Sequence, residues 1–481
     1  MKRNSKEKRE LIKPMLFTGI GSVILLSNIL VNPINHYVSG LILLFGAIVL
    51  YFLMAITMCE KNWLDIRAVF AGGWLATIGL AALRLADYQE AWQNRTWICL
   101  ALIYLVFELG SNLGLYLCNK WMHPIKEKIN KFNIGRLHFE KQENRLFGIC
   151  VVTTLIGLAC FSVNVAIKGF IPCFSNSTTA YTDFYTKFHV FAVASTGVSG
   201  LCFYTVKTQK ISKFKKFVLL LCIFYLVFLF PIMVVSRGVF LVAAVSLTVV
   251  VFYLYKRRII ALLLCVVTML SIYLFTSELR NYTDQQLSNF FEPTQIVVNP
   301  MPEGSEGIQS SDDPSSDDIV IQLSPKMSFV YSYLTVGFDN FNEAIQNAQH
   351  YTYGIRQLKP INVLFRIKKI NDINNKAEFY KIRPHFNTVC FGGEFYYDLR
   401  EAGICIFTLL WAMVFGCIQQ FYAREKGIFS LMALGNAMVP VLLGFFDAWV
   451  TTFAQWMLWG VVLLFALAVY VRIYPKEELC N

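Results

Sequence analysis

Residues 217–258 read FVLLLCIFYLVFLFPIMVVSRGVFLVAAVSLTVVVFYLYKRR, and this stretch decides the fold class. It holds two apolar runs, 217–235 and 238–255, each close to the roughly twenty residues that a helix needs to cross a hydrocarbon core. Only Ser236, Arg237 and Gly238 stand between the runs, and Lys256, Arg257 and Arg258 close the second. The stretch reads as two membrane helices joined by a turn of almost no length. Gly238 is the residue expected to permit that turn, and Arg237 is expected to be pinned at the membrane surface.

Comparable runs recur near 14–31, 38–58, 68–86, 96–117, 146–168, 187–206, 259–276, 403–423, 428–446 and 449–471, about twelve in all. Apolar residues make up 56% of the 481 and charged residues 15%. A water-soluble chain carries roughly a quarter charged residues, so this one belongs in a bilayer. Lipid-exposed irregular backbone is not tolerated there, and the expected architecture is an all-α integral membrane bundle. The first apolar run lacks a small-residue cleavage site and reads as a span.

The formal charge of +12 raises nucleic acid as a partner, and its distribution excludes that reading. With the N-terminus inside, the inside segments hold 27 Lys and Arg, against about 5 in the short outside loops. The basic excess is a topology signal. It places both termini in the cytoplasm of a multi-pass protein of the cytoplasmic (inner) membrane. The chain then divides into helices one to nine (1–276), one long extracytoplasmic loop (277–402), and helices ten to twelve with a cytoplasmic tail (403–481). A Ser, Pro, Gly and Asp rich insertion near 299–325 is expected to lack structure.

Thirteen cysteines are scattered without a CxxC pair. Cys173 and Cys390 alone fall in outside loops, where a disulfide remains open. The six histidines do not pair at helical spacing, and no metal site is expected. Trp92 and Trp97, in and after the second outside loop, read most simply as interfacial anchors. Glu108, in the middle of the fourth helix, requires a partner or a wet cavity, and Arg84 on the neighbouring helix is the expected structural partner. In the outside loop after the fifth helix, Tyr181, Asp183 and Tyr185 suit either a sugar platform or an ordinary interfacial loop.

The long loop carries the chemistry. Its first turn puts Arg280 close to the membrane, and order resumes at 327–348, where Phe338, Phe341 and Ile345 fall at helical spacing. Gly354, Arg356, Lys359 and Pro360 follow, then RPHFNTVCFGGEFYYDLREAG at 383–403. Arg237, Arg280, Arg356 and Arg383 are guanidinium groups on the side that short loops keep free of cations. Guanidinium binds phosphate oxygens bidentately, and it stabilises a diphosphate leaving group without a metal or other cofactor. His385 is the first candidate for a general base, because its intrinsic pKa lies near working pH. Glu394 is the second. Tyr397 and Asp398 offer a ring and a carboxylate of the kind that hold a sugar.

Ser236-Arg237-Gly238, then Tyr353, Gly354, Arg356 and Pro360, then Asn387-Thr388, Tyr397-Asp398 and Gly403 together resemble the bacterial O-antigen and capsule polymerases, the oligosaccharide repeat unit polymerases. That family often shows Asp-Phe-Gly where this chain has Asp398-Leu399-Arg400. The related O-antigen ligases share the SRG element, and their His, Asn, Glu and Gly pattern falls here on His385, Asn387, Glu401 and Gly403 with wider spacing. The resemblance implies a GT-C-like fold and transfer of a growing glycan from undecaprenyl diphosphate onto the next lipid-linked repeat unit. It also implies membrane lipids, a flippase and a chain-length regulator as partners. The other readings are a ligase, another polyprenyl-phosphate-dependent glycosyltransferase, or a lipid-oligosaccharide flippase.

Overall fold

The computed structural model describes residues 2–58, 62–86, 88–131, 143–175, 183–255, 295–298, 319–322, 325–365, 379–383 and 388–471, and a few isolated positions between 260 and 386. Among them, eight helices are long and apolar enough to cross a membrane: Lys13–Val31, His36–Thr57, Asn94–Lys120, Asn144–Lys168, Lys187–Thr208, Lys213–Met233, Arg237–Leu254 and Gly393–Glu425. Three shorter apolar helices, Ile66–Ala82, Ile428–Leu442 and Phe453–Ala466, match three more of the expected runs. The expected ninth span, 259–276, lies almost wholly outside the described residues. The apolar surface of these helices is what folds the chain as a helical membrane protein.

The Asn94 and Gly393 helices pack backbone against backbone. Gly110 and Gly114 stand four residues apart on one, with Ala412 and Gly416 four apart on the other. A Cβ at Gly114 would overlap the carbonyl of Met413, and one at Gly416 would overlap that of Ser111. Small residues at this spacing let helices approach closely where no hydrophobic force between them exists in lipid. The contact fixes the Gly393 helix, whose N-terminal end carries Glu394, Tyr397 and Asp398.

Polar contacts collect at the two ends of the bundle. At one end Lys13 Nζ donates to Thr57 O, Tyr253 Oη to Asn62, Gln420 Nε2 to Asn119 and Lys215 Nζ to Asn144. At the other, Gln89, Trp92 and Thr96 reach the helix Pro325–Asn347. That helix buries Phe338, Phe341 and Ile345, the three residues its periodicity singled out. It enters the main core, where the Phe338 ring meets Trp74 edge to face at 5.3 Å. A two-stranded antiparallel ladder, Gln295–Val298 with Ile319–Gln322, pairs Gln295 with Gln322. Its second strand falls inside the stretch expected to lack structure.

Three further expectations change, and the disulfide left open is not formed. Trp92 and Trp97 are buried; Trp92 Nε1 donates to Asp339 Oδ1 at 2.8 Å, because the helix Pro325–Asn347 covers the segment that joins the Ile66 and Asn94 helices. Arg84 does not pair with Glu108. It lies past the end of its helix with φ of 49°, and its guanidinium donates to Asn32. Cys173 and Cys390 are free thiols. The left-handed residue of the SRG turn is Val235, with φ of 51°, while Gly238 sits inside the following helix.

Candidate functional site

The Gly393 helix is broken near its start. Leu399 and Arg400 leave helical geometry, Arg400 with φ of 55° and ψ of −139°, so Gly393–Asp398 forms a separate turn ahead of the long span. A break frees backbone carbonyls that need donors. Those of Tyr397 and Asp398 accept from Thr352 N at 3.0 Å and Tyr353 N at 2.9 Å. Tyr353 and Gly354 are both left-handed, with φ of 52° and 86°. That reversal aims the Gly354 and Arg356 amides at Asp398 Oδ1, at 3.0 and 3.1 Å. Thr352 Oγ1 donates to the same oxygen, and Gln357 Nε2 donates to Asp398 Oδ2 at 2.9 Å. Asp398 is fully buried and both its oxygens accept from the 352–357 segment, so it is the clasp that positions Arg356.

Arg356 and Lys359 close on Glu394. Arg356 Nη1 lies 2.7 Å from Glu394 Oε2, and Lys359 Nζ lies 2.7 Å from Oε1. The guanidinium of Arg356 also stands 4.3 Å over the Tyr397 ring. Tyr397 is buried, its Oη accepts from Tyr380 N at 3.0 Å, and Phe379 stacks beside it. The pairs within this triad are charge-assisted and short. Its two cations and one anion leave a net +1. The Lys359 side chain is 34% exposed, so the positive end is open to an anion.

Arg237 joins the cluster through one turn. The guanidinium of Arg237 lies 4.4 Å from the centre of the Tyr333 ring, and Tyr333 stacks on Phe446 at 5.0 Å. Phe446 belongs to the turn between the Ile428 and Phe453 helices, which also carries Asp447 and Trp449. The side chain of Trp449 reaches Gly238, and its 3-10 turn packs on the Ile355–Leu358 turn that holds Arg356. Asp447 lies within reach of the charges of Glu394 and Lys359. Burial pushes its carboxyl up to about 7; the charge of Glu394 adds to the rise, while Lys359 and the Ala448 amide oppose it.

No protein-family model, curated protein or solved structure matches this chain.

The residues singled out in the sequence fall into three groups. Arg237, Arg356, Glu394, Tyr397 and Asp398 are brought to one end of the bundle around the 443–449 turn. Arg383 lies over the Tyr88 ring, 5.4 Å from its centre, where Tyr88 meets Phe386. His385 and Arg280 lie outside the described residues, as do Asn387 and Tyr181. Sequence reasoning missed Asp447. Its signal was available: it is the only charged residue between Lys426 and Arg472, and an ionisable residue amid membrane helices is costly unless it serves a purpose.

Proposed function

We propose that this protein polymerises lipid-linked oligosaccharide repeat units at the outer face of the cytoplasmic membrane. In this reading the chain spans the membrane about twelve times in a GT-C-like bundle, with both termini cytoplasmic. An acceptor hydroxyl of the next lipid-linked unit attacks the anomeric carbon of the growing glycan. The bond from that carbon to the diphosphate oxygen breaks, undecaprenyl diphosphate leaves, and the hydroxyl proton passes to a base. The developing negative charge on the diphosphate is what the enzyme must stabilise.

The observation that carries this reading is the Arg356–Glu394–Lys359 triad beside the Arg237 turn. It is a preorganised, net positive group at the N-terminal end of the Gly393 helix, opposite the end that carries Arg424 and Lys426. Fixed guanidinium groups suit the paired oxygens of a diphosphate better than a mobile ammonium does. Glu394 then serves to hold the two cations, since both of its oxygens already accept from them and a carboxylate so occupied is a poor proton acceptor. Tyr353, 78% exposed on the strained turn above the clasp, supplies an open aromatic face for sugar.

The test is purified protein in lipid vesicles given a single lipid-linked repeat unit and scored for products. A ladder of glycans on lipid carrier is the expected result. One transfer onto a foreign acceptor identifies a ligase, and translocation without new bonds identifies a flippase; either overturns the polymerase reading. Arg237→Ala is expected to leave the protein folded and abolish the ladder, and an unchanged chain-length distribution refutes the role given to Arg237.

A further inference from the structure

The polymerase reading needs a group that takes the proton from the acceptor hydroxyl, and Glu394 is committed to Arg356 and Lys359. We infer that Asp447 is that proton acceptor, held at the floor of the cationic cluster by the turn between the last two described helices. The inference rests on the proposed reaction.

The placement is built by several contacts. Phe391 N donates to Gly444 O at 2.6 Å, and Phe446 N and Asp447 N both donate to Leu443 O, at 3.0 and 3.2 Å. A Cβ at Gly337 would overlap the carbonyl of Phe445, so the helix Pro325–Asn347 presses directly on this backbone. Phe446 is fixed by its stack on Tyr333, at an interplanar angle of 12°. A turn pinned by Phe391 and, at two points, by the helix Pro325–Asn347 holds its one carboxyl in a defined position. Preorganisation of this kind is what a base needs, because small misplacements of a reacting group are costly in rate.

The chemistry of the neighbours fits the same role. Asp447 remains partly exposed, while Glu394 is buried and fully engaged. Glu394 and Lys359 are the charged groups whose fields reach Asp447, and Arg356 stands behind them on Glu394. Two carboxyls in one site whose environments drive them apart are the usual arrangement of an acid–base pair. Here one stays ionised as a counter-ion. The other gains and loses its proton near neutrality, where proton transfer is most effective.

The balance is complete. The hydroxyl oxygen forms the new glycosidic bond, its proton goes to the Asp447 carboxylate, and the electron pair of the broken bond leaves on the diphosphate beside Arg237, Arg356 and Lys359. No oxidant, metal or nucleotide takes part in these steps.

Two measurements test the inference. The first is independent of turnover: infrared difference spectra of the purified protein in lipid between pH 5 and pH 9. A protonated carboxyl component that disappears with a midpoint about 7, is lost in Asp447→Asn but kept in Asp339→Asn, and moves to lower pH in Glu394→Gln is expected. A wild-type Asp447 already ionised at pH 5 overturns the inference. The second is the vesicle assay. Wild-type rate is expected to rise through pH 7, and Asp447→Asn to lower it by about 10²–10⁴-fold, the usual range for losing a general base, with binding of the lipid-linked unit changed less than threefold. Asp447→Glu should recover part of the rate. Asp447→Asn that keeps its rate within threefold, or keeps the wild-type midpoint, overturns the role. Absence of any ladder from wild type at every pH removes the polymerase reading and this role with it, whereas a wild-type ladder with an indifferent Asp447 removes the role alone. If Asp447→Asn does not fold, the wild-type midpoint and Asp447→Glu decide.

Discussion

Glu394→Gln removes one charge and leaves two cations facing each other, and the structure sets the expected size of the effect. The Arg356 and Glu394 side chains are 5% and 9% exposed, and their atoms meet at 2.7 Å. Breaking a buried pair by neutralising one partner costs about 3–5 kcal/mol, because the other charge stays buried without compensation. The Tyr397 face returns only part of that. Lys359 is 34% exposed, and water screens its pair with Glu394, so Lys359→Met costs about 1 kcal/mol or less. The strain falls on the 352–359 segment. The amides of Thr352, Tyr353, Gly354 and Arg356 donate to the 397–398 break, so they report its docking by hydrogen exchange. At about 1.4 kcal/mol per factor of ten, Glu394→Gln should speed their exchange by roughly two to three and a half orders of magnitude, and Lys359→Met by less than tenfold. Equal effects of the two variants, or less than tenfold from Glu394→Gln, would refute the triad as the anchor of this segment.

The remaining predictions follow from packing and from titration. Gly416→Val should abolish folded protein in detergent, because its side chain meets the Ser111 carbonyl, while Gly148→Ala, with nothing within 4 Å, should be neutral; size-exclusion profiles of the two decide. Burial pushes the Asp339 carboxyl up to about 7, against the Gln89 and Trp92 hydrogen bonds and the Arg84 charge. The folded state therefore holds that proton more tightly than the unfolded one. The associated stability is fully present below about pH 4 and is lost as pH rises to about 7, an effect of about 4 kcal/mol. Melting temperature should fall between pH 5 and pH 8, and Asp339→Asn should flatten part of that fall; an unchanged slope contradicts the assignment.

Much of the frame was legible because lipid permits few solutions. Apolar runs of the right length gave the helices, and Phe338, Phe341 and Ile345 gave the buried face of one segment between them. What local sequence did not show is which loop covers which. Trp92 and Trp97 have the composition of interfacial anchors, and only the helix Pro325–Asn347, more than two hundred residues later, makes them core. Arg84 and Glu108 are near enough in sequence pattern to suggest a pair, yet a left-handed Arg84 turns its guanidinium to Asn32. Within the site, Arg356 and Glu394 stood out by residue type, while their mutual pairing was not readable. Asp447 was hidden at the edge of an apolar run, where a single acid reads as a turn residue until the structure sets it against Glu394.

The proposed function depends most on the side of the membrane that the cationic cluster faces. Tyr353→Cys, in a background with Cys173→Ser, places a thiol on the exposed turn above the clasp, and Glu425→Cys places one at the opposite end of the Gly393 helix. Treated in intact cells with a membrane-impermeant maleimide, Tyr353→Cys should label at once and Glu425→Cys only after permeabilisation. The reverse pattern would put the cluster in the cytosol, away from any lipid-borne diphosphate glycan, and would contradict the proposed function outright.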